Sequence, residues 1–276
     1  MIPEIKRLAG AAMILAAALT PQNAAASDCV LEKGRIKAGG VCLAVEIFAK
    51  PQAPGRPMAI VVHGDGGGSI RDGYLRLLRT TGKRIAEAVP GAGVVFVQRP
   101  GYRSDIGESE GHAKSEDDDY TPDNVKHMAD AVAALKQAWQ PSRVVWVGHS
   151  GGSALGALVL GRYPGTVDAA VLVGCPCGEI KEWRQHRNFQ RGRHNASLWP
   201  ASLSPIAHQD GLRAGLPVVL LTGDKDDNTL PRFAQAWAEK AKARGVDARF
   251  VSLPGAGHGK SAGAPEVAEH AARLMK

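Results

Sequence analysis

Aromatic residues are scarce in this chain of 276 residues: phenylalanine, tryptophan and tyrosine together make up 5%. That is a poor fit to a sandwich of sheets packed on large rings, whereas 33 glycines suit tight turns and close helix–sheet packing. No apolar run beyond residue 30 approaches the roughly 18 residues of a membrane-crossing helix, so no such span is expected there. Dense Lys/Arg runs interleaved with aromatics are also missing. The formal charge of +7 therefore does not read as nucleic-acid binding. Cysteines number four, with no second Cys/His pair at ligand spacing, so neither a metal nor another cofactor is expected. What is present is ordinary for a globular protein: 44% hydrophobic and 22% charged residues.

The first 26 residues read as a targeting segment rather than as part of the fold. Lys6 and Arg7 precede an apolar stretch from Leu8 to Leu19 that is too short to span a bilayer, and Ala24-Ala25-Ala26 supplies a small-residue cleavage site. A signal peptide over 1–26 leaves residues 27–276 as one domain, periplasmic or secreted. Asp28 ahead of Cys29 argues against a lipid anchor. In an oxidising compartment Cys29 and Cys42, flanking a glycine-rich turn between two strand-like runs, are expected to form a disulfide. Cys175-Pro176-Cys177 closes on itself only in a tight loop, and its pairing stays open.

Beyond that hairpin, strand and helix patterns alternate. Apolar runs at Met58–Val62, Val94–Val97, Arg143–Val147, Val167–Val173, Leu216–Leu221 and Ala248–Leu253 read as strands. Helical spacing covers Tyr74–Ala88, the stretch from Pro122 to about Trp139 with Thr121 as its cap, Gly152 to about Tyr163, Pro231–Arg244 and Ala264–Met275. The order predicts an α/β fold: a doubly wound, mostly parallel eight-stranded sheet with an antiparallel N-terminal edge and helices on both faces. One stretch breaks the rhythm. Residues 178–209, rich in Arg, His and Trp, are expected to form a lid insertion, with Trp183, Arg184 and Arg187 toward the substrate. Asp117-Asp118-Asp119 reads as a solvated acidic run ahead of a helix.

Chemistry-bearing residues follow the strands. Gly148-His149-Ser150-Gly151-Gly152 fits G-x-S-x-G between a strand and a helix, the setting in which a serine hydroxyl is exposed on a sharp turn. His149 lines or supports that turn. His63-Gly64-Asp65-Gly66-Gly67-Gly68 follows another strand and can aim backbone N–H groups at one point, so Asp65 or Gly66 together with Gly151 would make an oxyanion hole. The loop lacks the lysine and hydroxyl of a nucleotide-phosphate cradle. A hydroxyl needs a base and the base an orienting acid. His258, within Gly255-Ala-Gly-His-Gly259, suits the base. Asp224, Asp226 and Asp227 compete for the acid, and Asp226, three residues after Gly223, is preferred, with Asp227 the runner-up.

These motifs in this order resemble the α/β-hydrolase superfamily over residues 30 to 276, with Arg99-Pro100-Gly101-Tyr102 also similar to a stretch common there. The size is similar to that of dienelactone hydrolases and small prolyl-oligopeptidase-like enzymes, but the former carry Cys where this chain has Ser150. The resemblance implies a Ser150–His258–Asp226 triad and an acyl-enzyme on the way to cleavage of a carboxylic ester, or of an amide or peptide bond, in a small-molecule substrate. The alternatives are a peptidase, an acyltransferase or a non-catalytic binding protein on the same fold. The arginines of the lid would favour carboxylate-bearing substrates.

Overall fold

The computed structural model describes residues 29–113 and 118–276. The segment read as a signal peptide and Asp117 lie outside them.

Among the described residues ten strands form: β1 (Arg35–Ala38), β2 (Val41–Ala49), β3 (Met58–Val62), β4 (Gly93–Val97), β5 (Arg103–Ser104), β6 (Gly107–Glu108), β7 (Val144–His149), β8 (Ala169–Val173), β9 (Pro217–Gly223) and β10 (Asp247–Leu253). Eight make one sheet in the order β1-β2-β4-β3-β7-β8-β9-β10. β1 and β2 pair antiparallel at its edge, β2 runs antiparallel to β4, and every pairing from β4 to β10 is parallel. The sequence missed the β5–β6 ladder, which is only two residue pairs long and carries no apolar alternation.

Among the described residues seven α-helices accompany the sheet: α1 (Asp72–Ala88), α2 (Pro122–Trp139), α3 (Gly151–Arg162), α4 (Ile180–Gln190), α5 (Pro231–Lys242), α6 (His258–Ser261) and α7 (Pro265–Leu274). Alternate strand residues face opposite layers. Ile60, Val62, Val95 and Trp146 pack with Met128, Val132, Leu155 and Trp237 of α2, α3 and α5. Ala59, Val61, Phe96 and Val145 pack with Leu75, Leu78, Ile85 and Val267 of α1 and α7. Strands buried on both faces must be apolar at every position, and β3, β4 and β8 are buried throughout.

Helix boundaries follow local chemistry. Thr121 caps α2, its hydroxyl accepting from the Asn124 amide, and Pro122 occupies the first turn, where its missing N–H has no use. The C-terminal helix read over Ala264–Met275 is α7, and the one-turn α6 before it, parted from it by Gly263 and Pro265, was not read from the sequence. The stretch 178–209 contains α4, which weak periodicity hid.

Disulfides join Cys29 to Cys42, pinning the chain to β2, and Cys175 to Cys177, both buried just past β8. No described helix is long and apolar enough to cross a membrane. From β3 the chain winds outward to β4 and then back to β7, so the crevice at the carboxyl ends of β3 and β7 is where a doubly wound sheet places its ligand.

Candidate active site

Ser150 sits in that crevice, between β7 and α3. Its backbone has φ of 53°, a left-handed value that a non-glycine residue adopts only when its surroundings impose it. The imposition is visible. The Ser150 amide donates to the Val173 carbonyl at 2.8 Å, and the Ser153 hydroxyl reaches the carbonyls of Gly148 at 2.7 Å and Val173 at 2.9 Å. The turn is also crowded. A Cβ on Gly152 would lie 2.4 Å from the Val62 carbonyl oxygen, and one on Gly151 would lie 2.1 Å from Asp65 Oδ1.

His258, the first residue of α6 after β10, meets the serine. Its Nε2 is 2.9 Å from Ser150 Oγ, and its Nδ1 is 2.8 Å from Asp226 Oδ2. Asp226 is buried past the end of β9, and its amide bonds the Gly223 carbonyl. Burial works against its charge. The bond to His258 and those from the Thr229 amide and hydroxyl (both 2.8 Å) outweigh that and hold the carboxyl below its usual range. Asp224 and Asp227 are exposed; Asp224 accepts from the Gly255 amide and so braces the histidine loop from outside. Thr229 was not anticipated. An Asp followed by amide donors two and three residues on is the sequence trace of such a turn.

Of the loop after β3, the Gly66 amide donates to the Tyr102 hydroxyl at 3.2 Å. The amides of Asp65 and Gly151 have no acceptor among the described residues. His63 is buried; it donates from Nδ1 to the Gly64 carbonyl at 2.7 Å and accepts the Arg99 amide on Nε2 at 3.0 Å. Burial and the neighbouring Arg99 charge hold its pKa well below the ordinary value, so it is neutral. The Gly64 amide donates to the Tyr74 hydroxyl, which donates to His149 Nδ1, both at 2.7 Å. His149 Nε2 then donates to the His258 carbonyl at 3.0 Å. Burial, and then the charge of His258, push His149 down to about 3, so it acts as a neutral strut.

Behind the loop lies a buried charge cluster. Arg99 donates to Asp65 Oδ1 at 2.7 Å and lies 3.3 Å from Asp119 Oδ2. Tyr120 donates to Asp65 Oδ2 at 2.6 Å and Tyr102 to Asp119 Oδ2 at 2.8 Å. Asp119 is 2% exposed, which corrects the expectation of a solvated run. Its partner Arg99 lies twenty residues back along the chain, and nothing local announces the pairing. Burial raises its pKa to about 7, with the Arg99 charge opposing.

Within residues 178–209, α4 turns Trp183 and Arg184 inward. Trp183 and Trp199 rings stand 5.6 Å apart, and the Arg184 guanidinium lies 4.3 Å from the Trp199 ring centre. Trp183, Arg184 and Arg187 line the same cavity as Ser150 and His258, whose volume is about 1170 Å³. No group of three or more His, Cys, Asp or Glu side chains among the described residues could hold a metal ion.

Residues 92–275 match the Prolyl oligopeptidase family. No curated protein sequence matches the chain. Among solved structures, an acylaminoacyl peptidase of Pyrococcus horikoshii superposes with a TM-score of 0.61 at 15% identity, over 86% of this chain and 39% of that one. The chain thus spans about two fifths of that peptidase. An esterase of Pyrococcus furiosus superposes with a TM-score of 0.64 at 14% identity, over 87% of this chain and 90% of its own. Est1E of Butyrivibrio proteoclasticus, with ferulic acid bound, gives 0.60 at 17% identity, over 87% and 97%. At these identities the likeness is one of fold, that of the α/β-hydrolases.

Proposed function

The chain belongs to the prolyl oligopeptidase family and is a serine hydrolase, and from that premise we propose that Ser150, His258 and Asp226 are its catalytic triad, acting on a carboxylic ester. The observation that carries this is the unbroken line from Ser150 Oγ to His258 Nε2 and from Nδ1 to Asp226, at 2.9 and 2.8 Å. His258 Nε2 takes the Ser150 proton as Oγ attacks the substrate carbonyl. The oxyanion is received by the amides of Gly151 and Asp65, at the end of α3 where the helix dipole favours negative charge. Gly66 is the weaker candidate because its N–H is already given to Tyr102. His258 then hands its proton to the leaving oxygen, the C–O bond breaks, and an acyl group remains on Ser150. Water, deprotonated by the same imidazole, attacks the acyl carbon; the bond to Oγ breaks, the carboxylic acid departs, and His258 returns the proton to Ser150.

Ester is the first reading because the chain spans 90% and 97% of the esterase chains it resembles in fold, against 39% of the peptidase. Peptide cleavage is the second, favoured by the family match. Residues 178–209 act as the lid over this site. Export, with removal of residues 1–26, agrees with two disulfides, which persist in oxidising compartments.

The test is a serine-directed fluorophosphonate, with the adduct mapped by mass spectrometry. The expected result is one adduct, on Ser150, and none in Ser150→Ala. Ester turnover in Ser150→Ala above about 1% of wild type would overturn the assignment, since loss of a triad member typically costs about 10⁴-fold. Matched ester and aminoacyl substrates separate the two readings.

A further inference from the structure

The cavity that holds Ser150 has a one-sided charge. Among the described residues seven cationic side chains line it, including Arg71, Arg187, Arg191, Lys225 and Lys260, against two carboxylates, Asp65 and Asp119. Those two are already committed, since both lie against the buried guanidinium of Arg99. None of the five named cations has an ion-pair partner among the described residues, whereas Arg79, Lys126, Arg232 and Arg244 elsewhere on the surface each have a carboxylate within 3.1 Å.

Arg187 is the most constrained of the five. It is half-buried, and its one side-chain hydrogen bond goes to the neutral Gln190. Burial and the adjacent Arg191 hold its guanidinium below the usual arginine range, with Asp227 and Asp226 pulling the other way. A half-desolvated cation beside a second one is unfavourable until an anion arrives. The guanidinium fork suits a carboxylate, which can take two parallel N–H bonds from it. The same cavity offers Ile70, Leu77, Trp183 and Trp199 to the apolar body of a ligand.

Resting on the hydrolase reading above, we infer that the substrate carries a carboxylate remote from the scissile bond, and that Arg187 and Arg191 receive it. That carboxylate belongs either to the acyl part or to the leaving group, and two substrate arms distinguish these sources. In the acyl arm, p-nitrophenyl hemiglutarate is compared with p-nitrophenyl pentanoate. In the leaving-group arm, 4-carboxyphenyl acetate is compared with 4-carbamoylphenyl acetate. The expected result is that kcat/KM for the anionic member exceeds that for its neutral partner by about tenfold or more in one arm. The ratio falls at least about threefold in roughly 0.5 M salt, where the Debye length is a few ångströms. It also falls at least about fivefold in Arg187→Gln/Arg191→Gln. Because each ratio is taken within one preparation, partial misfolding of the variant cancels. Ratios within about twofold of unity in both arms, or a preference for the neutral esters, overturn the inference.

If no ester turns over and Ser150 is not labelled, the hydrolase reading has failed, and the charge inference is decided by binding instead. Calorimetric titration then compares glutarate with glutaramide. Tighter binding of the diacid that is weakened in the double variant supports it. Equal binding, or no binding of either, overturns it.

Discussion

His149 donates from Nε2 to the backbone carbonyl of His258 at 3.0 Å, with the two rings 4.8 Å apart. The residue next to Ser150 thus holds the turn that carries His258. Its direction is set by Tyr74, whose hydroxyl donates to Nδ1 and leaves the proton on Nε2. Tyr74→Phe frees that tautomer and strips the Gly64 amide of its acceptor. The expected outcome is a loss of about 1–2 kcal/mol of stability and, through looser placement of His258, about a tenfold lower kcat/KM. Thermal melts and ester kinetics on the same preparation measure both.

Three carboxylates follow β9, and only Asp226 reaches the imidazole. Asp226→Asn should lower kcat about 10⁴-fold by favouring the wrong tautomer of His258. Asp224→Asn and Asp227→Asn should each stay within about tenfold of wild type, since neither side chain bonds the histidine. A full loss in Asp227→Asn together with an active Asp226→Asn would reverse the assignment.

Asp119 gives the fold a slope in pH. An unfolded aspartate titrates near 3.9, and burial raises this one to about 7. Between those values the folded chain holds a proton that the unfolded chain releases. The associated stability is therefore complete below about pH 4 and is lost as pH rises through about 7. Asp226 runs the other way, but its depressed pKa places its window below 4. Wild-type Tm should fall between pH 5 and pH 8 by roughly 4–8 °C, for a change of about 2 kcal/mol, and Asp119→Asn should flatten that slope. An unchanged slope in the variant would place its origin elsewhere.

Gly152→Ala tests the packing of the serine turn. The added carbon would stand 2.4 Å from the Val62 carbonyl oxygen and 2.6 Å from that of His63, both backbone atoms of a central strand end. Neither can swing away as a side chain would, so a loss of about 3 kcal/mol is expected, read as a lower denaturant midpoint. A midpoint within experimental error of wild type would mean that β3 and α3 separate more easily than their contacts suggest.

The elements, and the residues proposed as the triad, are legible because their signals are local. A fully apolar run such as Met58–Val62 marks a buried strand, and just past such strands Ser150 and His258 stand beside glycines while Asp226 follows Gly223 by three residues. What was hidden depends on partners distant in sequence. Tyr74 reads as one more helical residue until Gly64 and His149 arrive beside it. Asp119 reads as solvated until Arg99, Tyr102 and Asp65 enclose it. Helix α4 escaped because Trp183 and Arg184 both face inward on it, so burial there does not follow apolarity.

Arg99 is the common clasp of three chain segments: the loop after β3 through Asp65, its own turn after β4, and the approach to α2 through Asp119. Segments fastened to one buried guanidinium cannot be exchanged singly. A loop grafted from a relative in place of residues 63–68 would bring its own side chain to position 65. Unless Arg99, Asp119 and Tyr120 were transplanted with it, the graft would strand a charge in the interior. For anyone recombining this scaffold, these residues form a single heritable unit, although the sequence scatters them over fifty-six positions.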